Sequence, residues 1–269
     1  MSVTSSPSRI DELFERTRAE SRAALVGYLP AGFPTKEQSI AAIEAMVAGG
    51  VDLVEVGLPY SDPVMDGPVI QAAADTALAQ GTRIADVLDV VRASAAVAPT
   101  VVMTYWNPVE RYGVDRFASA LAEAGGSGLI TPDLIPDEGA EWIAAAEAHG
   151  LDRIFLVAPS STDERIAMTA EAASGFVYAT AVMGVTGARE QTSSLAPELV
   201  ARLRRTTDKP VGVGLGVSNG TQAKEVAAFA DAVIVGSALV RCLLDAPDPQ
   251  AGLAAIRDLA EDLRSGVER

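Results

Sequence analysis

The stretch VDLVEVGLPYSDPVMDG, residues 51–67, begins as an apolar run of strand length and continues into a loop rich in proline, glycine and aspartate. Glu55 lies in the middle of the run, and Asp66 stands at the far end of the loop. A carboxylate inside a Val/Leu strand is costly to bury unless it is paired, hydrogen-bonded or protonated. Such a group is a candidate for proton chemistry, and a satisfied core acid beside a turn-forming aspartate is the alternative.

Apolar runs of this kind recur along the chain and alternate with stretches of helical periodicity. This alternation predicts parallel strands joined by crossover helices. Eight strand–helix units in about 250 residues match one (β/α)8 TIM barrel of the α/β class, with a doubly wound sheet as the alternative. The predicted strands are residues 23–28, 53–57, 100–104, 128–131, 153–157, 175–179, 210–214 and 232–236. The predicted helices are residues 35–48, 83–98, 114–124, 137–149, 162–173, 197–206 and 222–228.

The composition shows no break along the chain, so a single barrel domain over residues 1–269 is expected. Residues 10–20 predict an extra amphipathic helix at the N-terminus, preceded by a flexible tail at residues 1–9. The N-terminus lacks the apolar core of a signal peptide, and no apolar run is long enough to cross a bilayer. A cytoplasmic protein is the simplest interpretation.

The charge of the chain argues against two classes of partner. There are 21 basic and 36 acidic residues, which give a formal net charge of −15. No basic face is visible, so nucleic acid and anionic membranes are not expected as partners.

Side-chain alternation predicts the direction of the acid in the second strand. Leu53, Glu55 and Gly57 share one face of a strand, and Val54 and Val56 share the other. The valine face suits packing against helices, so we expect Glu55 to point into the barrel. In such barrels the chemistry lies at the C-terminal ends of the strands, where Asp66 would also lie.

Two glycine-bearing turns follow the seventh and eighth predicted strands, Gly214-Leu215-Gly216 and Gly236-Ser237. At these positions many barrels hold a phosphate with backbone N–H groups and a helix N-terminus. Neither turn contains Lys or Arg, so backbone N–H groups would make most of the contacts with the phosphate. A third glycine-bearing loop at residues 183–187 could join the phosphate site or close over it as a lid.

The inventory of side chains excludes several kinds of chemistry. One histidine, His149, at a predicted helix end, and one cysteine, Cys242, make a metal site or a nucleophile–histidine pair improbable. The three lysines fall in predicted helices or before the seventh strand, which disfavours a Schiff base. An acid–base set without metal or cofactor remains at the expected rim: Glu55, Asp66, Asp133, Tyr105 and Tyr178.

Seven motifs are spread over nearly the whole chain: GYLPAGFPT at 27–35, VEVGLPYSDPVMDGPVIQ at 54–71, TYWNP at 104–108, LITPDLIPDE at 129–138, MGVTG at 183–187, GLGVS at 214–218 and VGSALV at 235–240. The second motif is long and ordered, which makes it specific. By these motifs the chain resembles the tryptophan synthase α subunit family over nearly its whole length.

The resemblance implies a lyase that cleaves indole-3-glycerol phosphate to indole and glyceraldehyde 3-phosphate. It implies no cofactor in this chain, and a β subunit with pyridoxal phosphate as the partner in an α2β2 heterotetramer. The family's catalytic pair falls on Glu55 and Asp66. Its substrate residues fall on Tyr105, Tyr178 and the lid residue Thr186, the expected partner of Asp66. Its phosphate ligands fall on Gly187, Gly214, Gly216, Gly236 and Ser237.

The resemblance also predicts where the partner docks and where the sequence departs from the family. The docking surface would comprise residues 59–63, bounded by Pro59 and Pro63, with Asn107, Pro108 and residues 133–136, bounded by Asp133 and Pro136. Many members carry an arginine in the lid where this chain has residues 181–183, AVM. Tyr60 and Met65 replace residues that are often Phe and Ala.

An apolar wall is needed for the indole ring, and Phe33, Leu129 and Tyr178 are the candidates, with ordinary core packing as the alternative for Phe33 and Leu129. For Tyr105 the alternative is a strand-end residue with a hydrogen-bonded hydroxyl. Three other functions stay open at this point: a stand-alone indole-releasing lyase, a non-catalytic regulatory subunit, and another phosphate-binding barrel such as a sugar-phosphate isomerase. The last would need an acid and a base on other strands.

Overall fold

The computed structural model describes residues 7–180, 195–214 and 216–269. Eight parallel strands pair in chain order, and the eighth returns to the first, so the predicted closed (β/α)8 barrel is confirmed. All eight predicted strands are present, with ends that differ by a few residues. They are β1 (Ala24–Pro30), β2 (Leu53–Gly57), β3 (Thr100–Met103), β4 (Gly128–Thr131), β5 (Asp152–Val157), β6 (Val177–Thr180), β7 (Val211–Gly214) and β8 (Ala232–Val235).

Twelve α-helices lie in the described ranges, and a 3-10 turn at Pro136–Glu138 opens the segment that the sequence predicts as one helix from residue 137. The sequence prediction omitted four of these α-helices, which are α3, α5, α11 and α12 in the list that follows. The helices are α1 (Arg9–Ala19), α2 (Lys36–Ala48), α3 (Pro68–Ala79), α4 (Ile84–Ala95), α5 (Trp106–Tyr112), α6 (Val114–Glu123), α7 (Ala140–His149), α8 (Asp163–Ala172), α9 (Leu195–Leu203), α10 (Gly220–Ala227), α11 (Ser237–Leu244) and α12 (Pro249–Gly266).

The strands separate two hydrophobic layers because successive side chains point to opposite faces. The outer layer lies between strands and helices and includes Val54 and Val56. The inner layer fills the barrel and includes Leu53, Val101 and Ile130. Glu55 lies two residues after Leu53, so it shares the inward face, as predicted.

The predicted N-terminal helix, α1, closes the barrel at the end where the strands begin. Its side chains Ile10, Leu13 and Phe14 belong to the inner layer. Ser8 caps the helix by accepting from the Asp11 backbone N–H, and Asp11 returns the bond in a capping box. The predicted tail of residues 1–9 is therefore too long, because the helix begins at Arg9. The opposite end, where the strands finish, is the mouth of the barrel.

None of the helices in the described ranges combines the length and the apolar composition that a bilayer span demands.

Candidate active site

Glu55 lies inside the barrel mouth and is 1% exposed. Its Oε2 atom has no hydrogen-bond partner among the described residues. Burial, and then the nearby charge of Asp66, raise the pKa of Glu55 from its ordinary value of 4.5 to about 8. A carboxyl group with this pKa is protonated at neutral pH. Near that pH it can both donate a proton and accept one.

Asp66 ends the loop that follows β2, just before α3, and the Tyr105 hydroxyl donates a hydrogen bond of 2.9 Å to its Oδ1. The same hydroxyl accepts from the Met65 backbone N–H at 3.1 Å. Burial raises the pKa of Asp66, and the hydrogen bond from Tyr105 opposes part of that rise. Tyr105, predicted to bind substrate, is therefore engaged with Asp66 and the loop that carries it.

Tyr28 is a site residue that the sequence analysis missed. It lies on β1 in register with Glu55, and it shares the inward face with Val26 of the inner layer. Burial raises the pKa of Tyr28 well above its ordinary value, and the charges of Asp66 and Glu55 raise it further. Alternation along Ala24, Val26 and Tyr28 is the signal that could have found it.

Two tyrosines reach into the mouth, and each lies across a glycine of a neighbouring strand. A Cβ added to Gly57 would lie 2.2 Å from the Tyr28 hydroxyl, and one added to Gly214 would lie 2.5 Å from that of Tyr178. Burial and the charge of Glu55 raise the pKa of Tyr178 well above its ordinary value, so this predicted substrate residue does lie near the acid. The two glycines leave room for the rings beside Glu55.

The predicted phosphate turns lie side by side at the ends of β7 and β8. Gly214 ends β7 and is in register with Ile234 of β8, and Gly216 has a φ of +70°, which favours glycine. Gly236 is the N-cap of α11 and Ser237 is its first residue. A helix N-terminus beside two strand-end turns is a suitable cradle for an anion.

Three predictions fall outside the described residues. They concern Thr186 and Gly187 of the predicted lid and the departure at residues 181–183.

Two predictions for the indole wall are wrong. Leu129 belongs to the outer layer with Val54 and Val56, while its neighbour Ile130 faces the barrel interior. Phe33, in the loop after β1, also belongs to the outer layer. Both residues take part in ordinary core packing. The prediction failed because the strand-end motifs do not show which face each side chain takes.

The loops after β2, β3 and β4 are joined into one rim, where the sequence predicts the docking surface. The Asn107 side-chain amide donates to the Tyr60 hydroxyl at 2.9 Å. The Trp106 backbone N–H donates to both carboxylate oxygens of Asp133, at 2.9 and 3.1 Å. Asp133 therefore anchors the start of α5 and is not a member of the Glu55–Asp66 pair.

The remaining reactive side chains make contacts outside the Glu55–Asp66 pair. His149 ends α7 and contacts Asp115 at 2.9 Å, as expected for a helix-end residue. Lys209 donates to the carbonyls at the end of α8, and Lys36 pairs with Asp86 and Asp89. In the described ranges, His, Cys, Asp and Glu side chains form no group of three that could hold a metal ion.

A (β/α)8 barrel with a protonated acid and a second carboxylate at its mouth, next to a backbone anion cradle, defines an enzyme of the acid–base class. The model of the family described as "Tryptophan synthase alpha chain" matches residues 14–267. The chain belongs to the tryptophan synthase α chain family.

Relatives and solved structures agree with this assignment. Tryptophan synthase α chains from Salinispora arenicola and Acidothermus cellulolyticus are 66% and 65% identical to this chain over 261 residues. The alignments cover 97% of this chain and 98% and 97% of the two relatives. A chain in the structure of Mycobacterium tuberculosis tryptophan synthase superposes with a TM-score of 0.92 at 57% identity, covering 98% of this chain and 100% of that chain.

The family defines the activity. The chain is the α subunit of tryptophan biosynthesis, a lyase that cleaves indole-3-glycerol phosphate. It is the subunit without a cofactor, since pyridoxal phosphate belongs to the β chain, and membership in the family implies a β subunit as partner.

Proposed function

We propose that Glu55 and Asp66 carry the cleavage of indole-3-glycerol phosphate as an acid–base pair. The observation that supports this most strongly is a buried, neutral Glu55 within electrostatic reach of Asp66 at the barrel mouth. The bond to be broken joins indole carbon 3 to the glycerol chain, so carbon 3 must first gain a proton.

Glu55 delivers that proton and converts the ring into a cationic indolenine. The carbon–carbon bond then breaks, and its electron pair returns to the ring to give indole. The neighbouring glycerol hydroxyl loses its proton to the Glu55 carboxylate and becomes the aldehyde of glyceraldehyde 3-phosphate. Proton and electron counts balance, and each assisted proton transfer contributes roughly 10²–10⁴-fold in rate.

Asp66 accepts the hydrogen bond of the indole N–H and stabilises the positive charge that develops on the ring. This interaction is stronger in the transition state than in the ground state, so it lowers the barrier more than it tightens binding. Tyr105 orients the carboxylate, since its hydroxyl donates to Oδ1 at 2.9 Å. Thr186 of the lid is the further partner of Asp66 that the family motif suggests.

An Asp66→Asn variant tests this role. We expect it to lose far more in kcat than in substrate affinity, because the amide keeps the shape of the carboxylate but not its charge. Steady-state kinetics with indole-3-glycerol phosphate separate the two effects. A variant that only raises KM would contradict a role in the transition state.

The phosphate of the substrate binds at Gly214, Gly216, Gly236 and Ser237, with Gly187 of the lid as a further ligand. The N-terminus of α11 carries about half a positive charge, which suits a phosphate of charge about −2. Inorganic phosphate or glycerol phosphate should slow hydrogen exchange at the amides of Gly216, Gly236 and Ser237. Unchanged hydrogen exchange at these amides would contradict phosphate binding at this site.

The β subunit docks on the rim that comprises residues 59–63, Asn107, Pro108 and residues 133–136, in an α2β2 heterotetramer in the cytoplasm. The linked loops after β2, β3 and β4 support one continuous surface at the mouth. The whole chain, residues 1–269, acts as one barrel domain.

Incubation with indole-3-glycerol phosphate, with and without a β subunit, tests the assignment of the chain as an α subunit. Full activity of the chain alone that a β subunit leaves unchanged would favour a stand-alone lyase. A lack of activity both with and without the β subunit would favour a regulatory subunit.

A further inference from the structure

Tyr60 links the rim to the proposed active site through two contacts that the reaction scheme does not use. Its hydroxyl accepts the hydrogen bond from the Asn107 side chain at 2.9 Å. Its ring lies 5.5 Å from the Tyr105 ring, centroid to centroid, with an angle of 36° between the ring planes. The hydroxyl end of Tyr105 in turn reaches Asp66.

The backbone of Tyr105 is fixed independently of these contacts. Tyr105 is the N-cap of α5, and the next N–H, that of Trp106, donates to Asp133. The main freedom that remains to Tyr105 is rotation of its side chain, which decides whether the hydroxyl meets Asp66. The neighbouring ring of Tyr60 restricts that rotation, because tilted aromatic rings at this separation attract each other.

We propose that Tyr60 is a positioning residue of the cleavage reaction, which holds the Tyr105 ring in the orientation that binds Asp66. The bond from Asn107 keeps the Tyr60 ring in place against Tyr105. Tyr60 reaches Asp66 by way of Tyr105, so it acts through Tyr105. This inference rests on the proposed role of Asp66.

The ionisable groups that face Asp66 influence its pKa and therefore the pH dependence of the reaction rate. They are Glu55 on β2, Tyr28 on β1 and Tyr105 at the end of β3. The hydrogen bond from Tyr105 lowers the pKa of Asp66, against the rise that burial causes. Loss of a well-placed Tyr105 hydroxyl therefore raises the pKa of Asp66, and the acid limb of the rate profile moves to higher pH.

The experiment compares Tyr60→Phe, Tyr105→Phe and the double variant in the full-length chain with indole-3-glycerol phosphate as substrate. Tyr60→Phe keeps the ring and removes the bond to Asn107. We expect kcat to fall about threefold to tenfold, the range of one lost hydrogen bond, with little change in KM. We also expect the acid limb of the pH profile to shift upward, in the same direction as in Tyr105→Phe.

The double variant separates positioning from a general structural role. If Tyr60 acts through Tyr105, Tyr60→Phe should change kcat by less than about twofold once the Tyr105 hydroxyl is absent. Equal losses of kcat in both backgrounds, or an acid limb that Tyr60→Phe leaves in place, would overturn the proposal.

Two controls keep the outcome interpretable. Tyr112→Phe removes a hydroxyl from a partly buried tyrosine of α5 whose ring packs on Phe117 and under Arg116, and it should leave kcat and the pH profile unchanged. Asp66→Asn tests the proposed function itself. A loss of rate in Asp66→Asn without any effect of Tyr60→Phe would refute the positioning role alone, whereas normal turnover in Asp66→Asn would refute the role of Asp66.

Discussion

The Glu55 carboxyl group is held neutral by its surroundings, and this property couples the chemistry of the site to the stability of the fold. Its pKa is raised from 4.5 to about 8, first by burial and then by the charge of Asp66. At neutral pH the folded chain therefore holds a proton that the unfolded chain releases. That proton is the one that the proposed mechanism delivers to the substrate.

The first prediction concerns Glu55→Gln and the pH dependence of stability. At Glu55 the folded state binds more protons than the unfolded state between about pH 5 and 8, so the contribution of this group to the unfolding free energy falls as pH rises through this range. This slope amounts to at most about 1.4 kcal/mol per pH unit. Glutamine carries no charge, so the stability of the variant relative to the parent should grow with pH.

Urea unfolding of both proteins at about pH 5 and pH 8 measures the effect. A difference in unfolding free energy that is equal at the two pH values would mean that the pKa of Glu55 is not raised in the folded chain.

Residue-scale predictions from the sequence succeeded where the period of a strand decides the direction of a side chain. Glu55 follows Leu53 on the inward face, and this could be predicted because Val54 and Val56 require the helical side. Leu129 was misassigned because all four residues of β4 are buried, so neither face of this strand is marked by exposed polar side chains. The hydrogen bond between Tyr105 and Asp66 joins residues 39 positions apart and has no local signal.

Among the elements, β1 and β2 form the part of the barrel on which the site depends most directly. Tyr28 and Glu55 are in register on these strands, and the Tyr28 ring lies across Gly57. A strand glycine commonly marks close approach by another group, and here that group is a tyrosine ring. Gly57 is thus needed for the position of Tyr28.

The second prediction is that Gly57→Ala displaces Tyr28 and destabilises the chain. The added Cβ would meet the Tyr28 hydroxyl at 2.2 Å and its ring carbons at 2.6 Å, and overpacking of this kind costs about 1–3 kcal/mol. Tyr28→Ala removes the obstacle, so Gly57→Ala should cost much less in that background. Denaturant unfolding of the four proteins measures the coupling. Equal costs in the two backgrounds would show that the ring is not the cause.

The strands were easier to predict than the helices, for reasons that can be read from particular elements. The eight strands are mostly apolar and mostly buried, so hydrophobic runs mark them clearly. Helices α3 and α12 each begin at a proline, which is a usable sequence signal for a helix start. Helix α5 has seven residues and α11 starts directly after β8 without a side-chain cap, so neither has the length or the boundary that sequence patterns require.

The molecule as a whole has two distinct ends. Helix α1 closes the end where the strands begin, and the loops after β2, β3 and β4 join at the other end. This polarity separates stability from chemistry, as is general for the fold. It also provides pairs of matched positions, one at each end.

The third prediction uses such a pair to test the docking surface. Ile135, 37% exposed, lies on the proposed rim, and Val97, 47% exposed, lies before β3 at the opposite end. A charge introduced by Ile135→Asp would be buried by the partner, so we expect affinity for a β subunit to fall at least about tenfold. Val97→Asp should leave it unchanged. Titration calorimetry measures both, and equal affinities for the two variants would place the interface elsewhere.

Glu55 is proposed to supply the proton that starts the cleavage, and a comparison of turnover in three proteins tests this role. Indole release from indole-3-glycerol phosphate is measured for the parent chain, Glu55→Gln and Asp152→Asn, each with a β subunit present. Asp152 is the matched control, a buried acid of raised pKa at the closed end of the barrel.

If Glu55 is the proton donor, turnover of the parent chain falls as pH rises through about 8, the pKa of Glu55. Glu55→Gln should lose about 10²–10⁴-fold in kcat at neutral pH and show no such decline, while Asp152→Asn keeps both the rate and the decline. Near-normal turnover in a folded Glu55→Gln protein would contradict the claim.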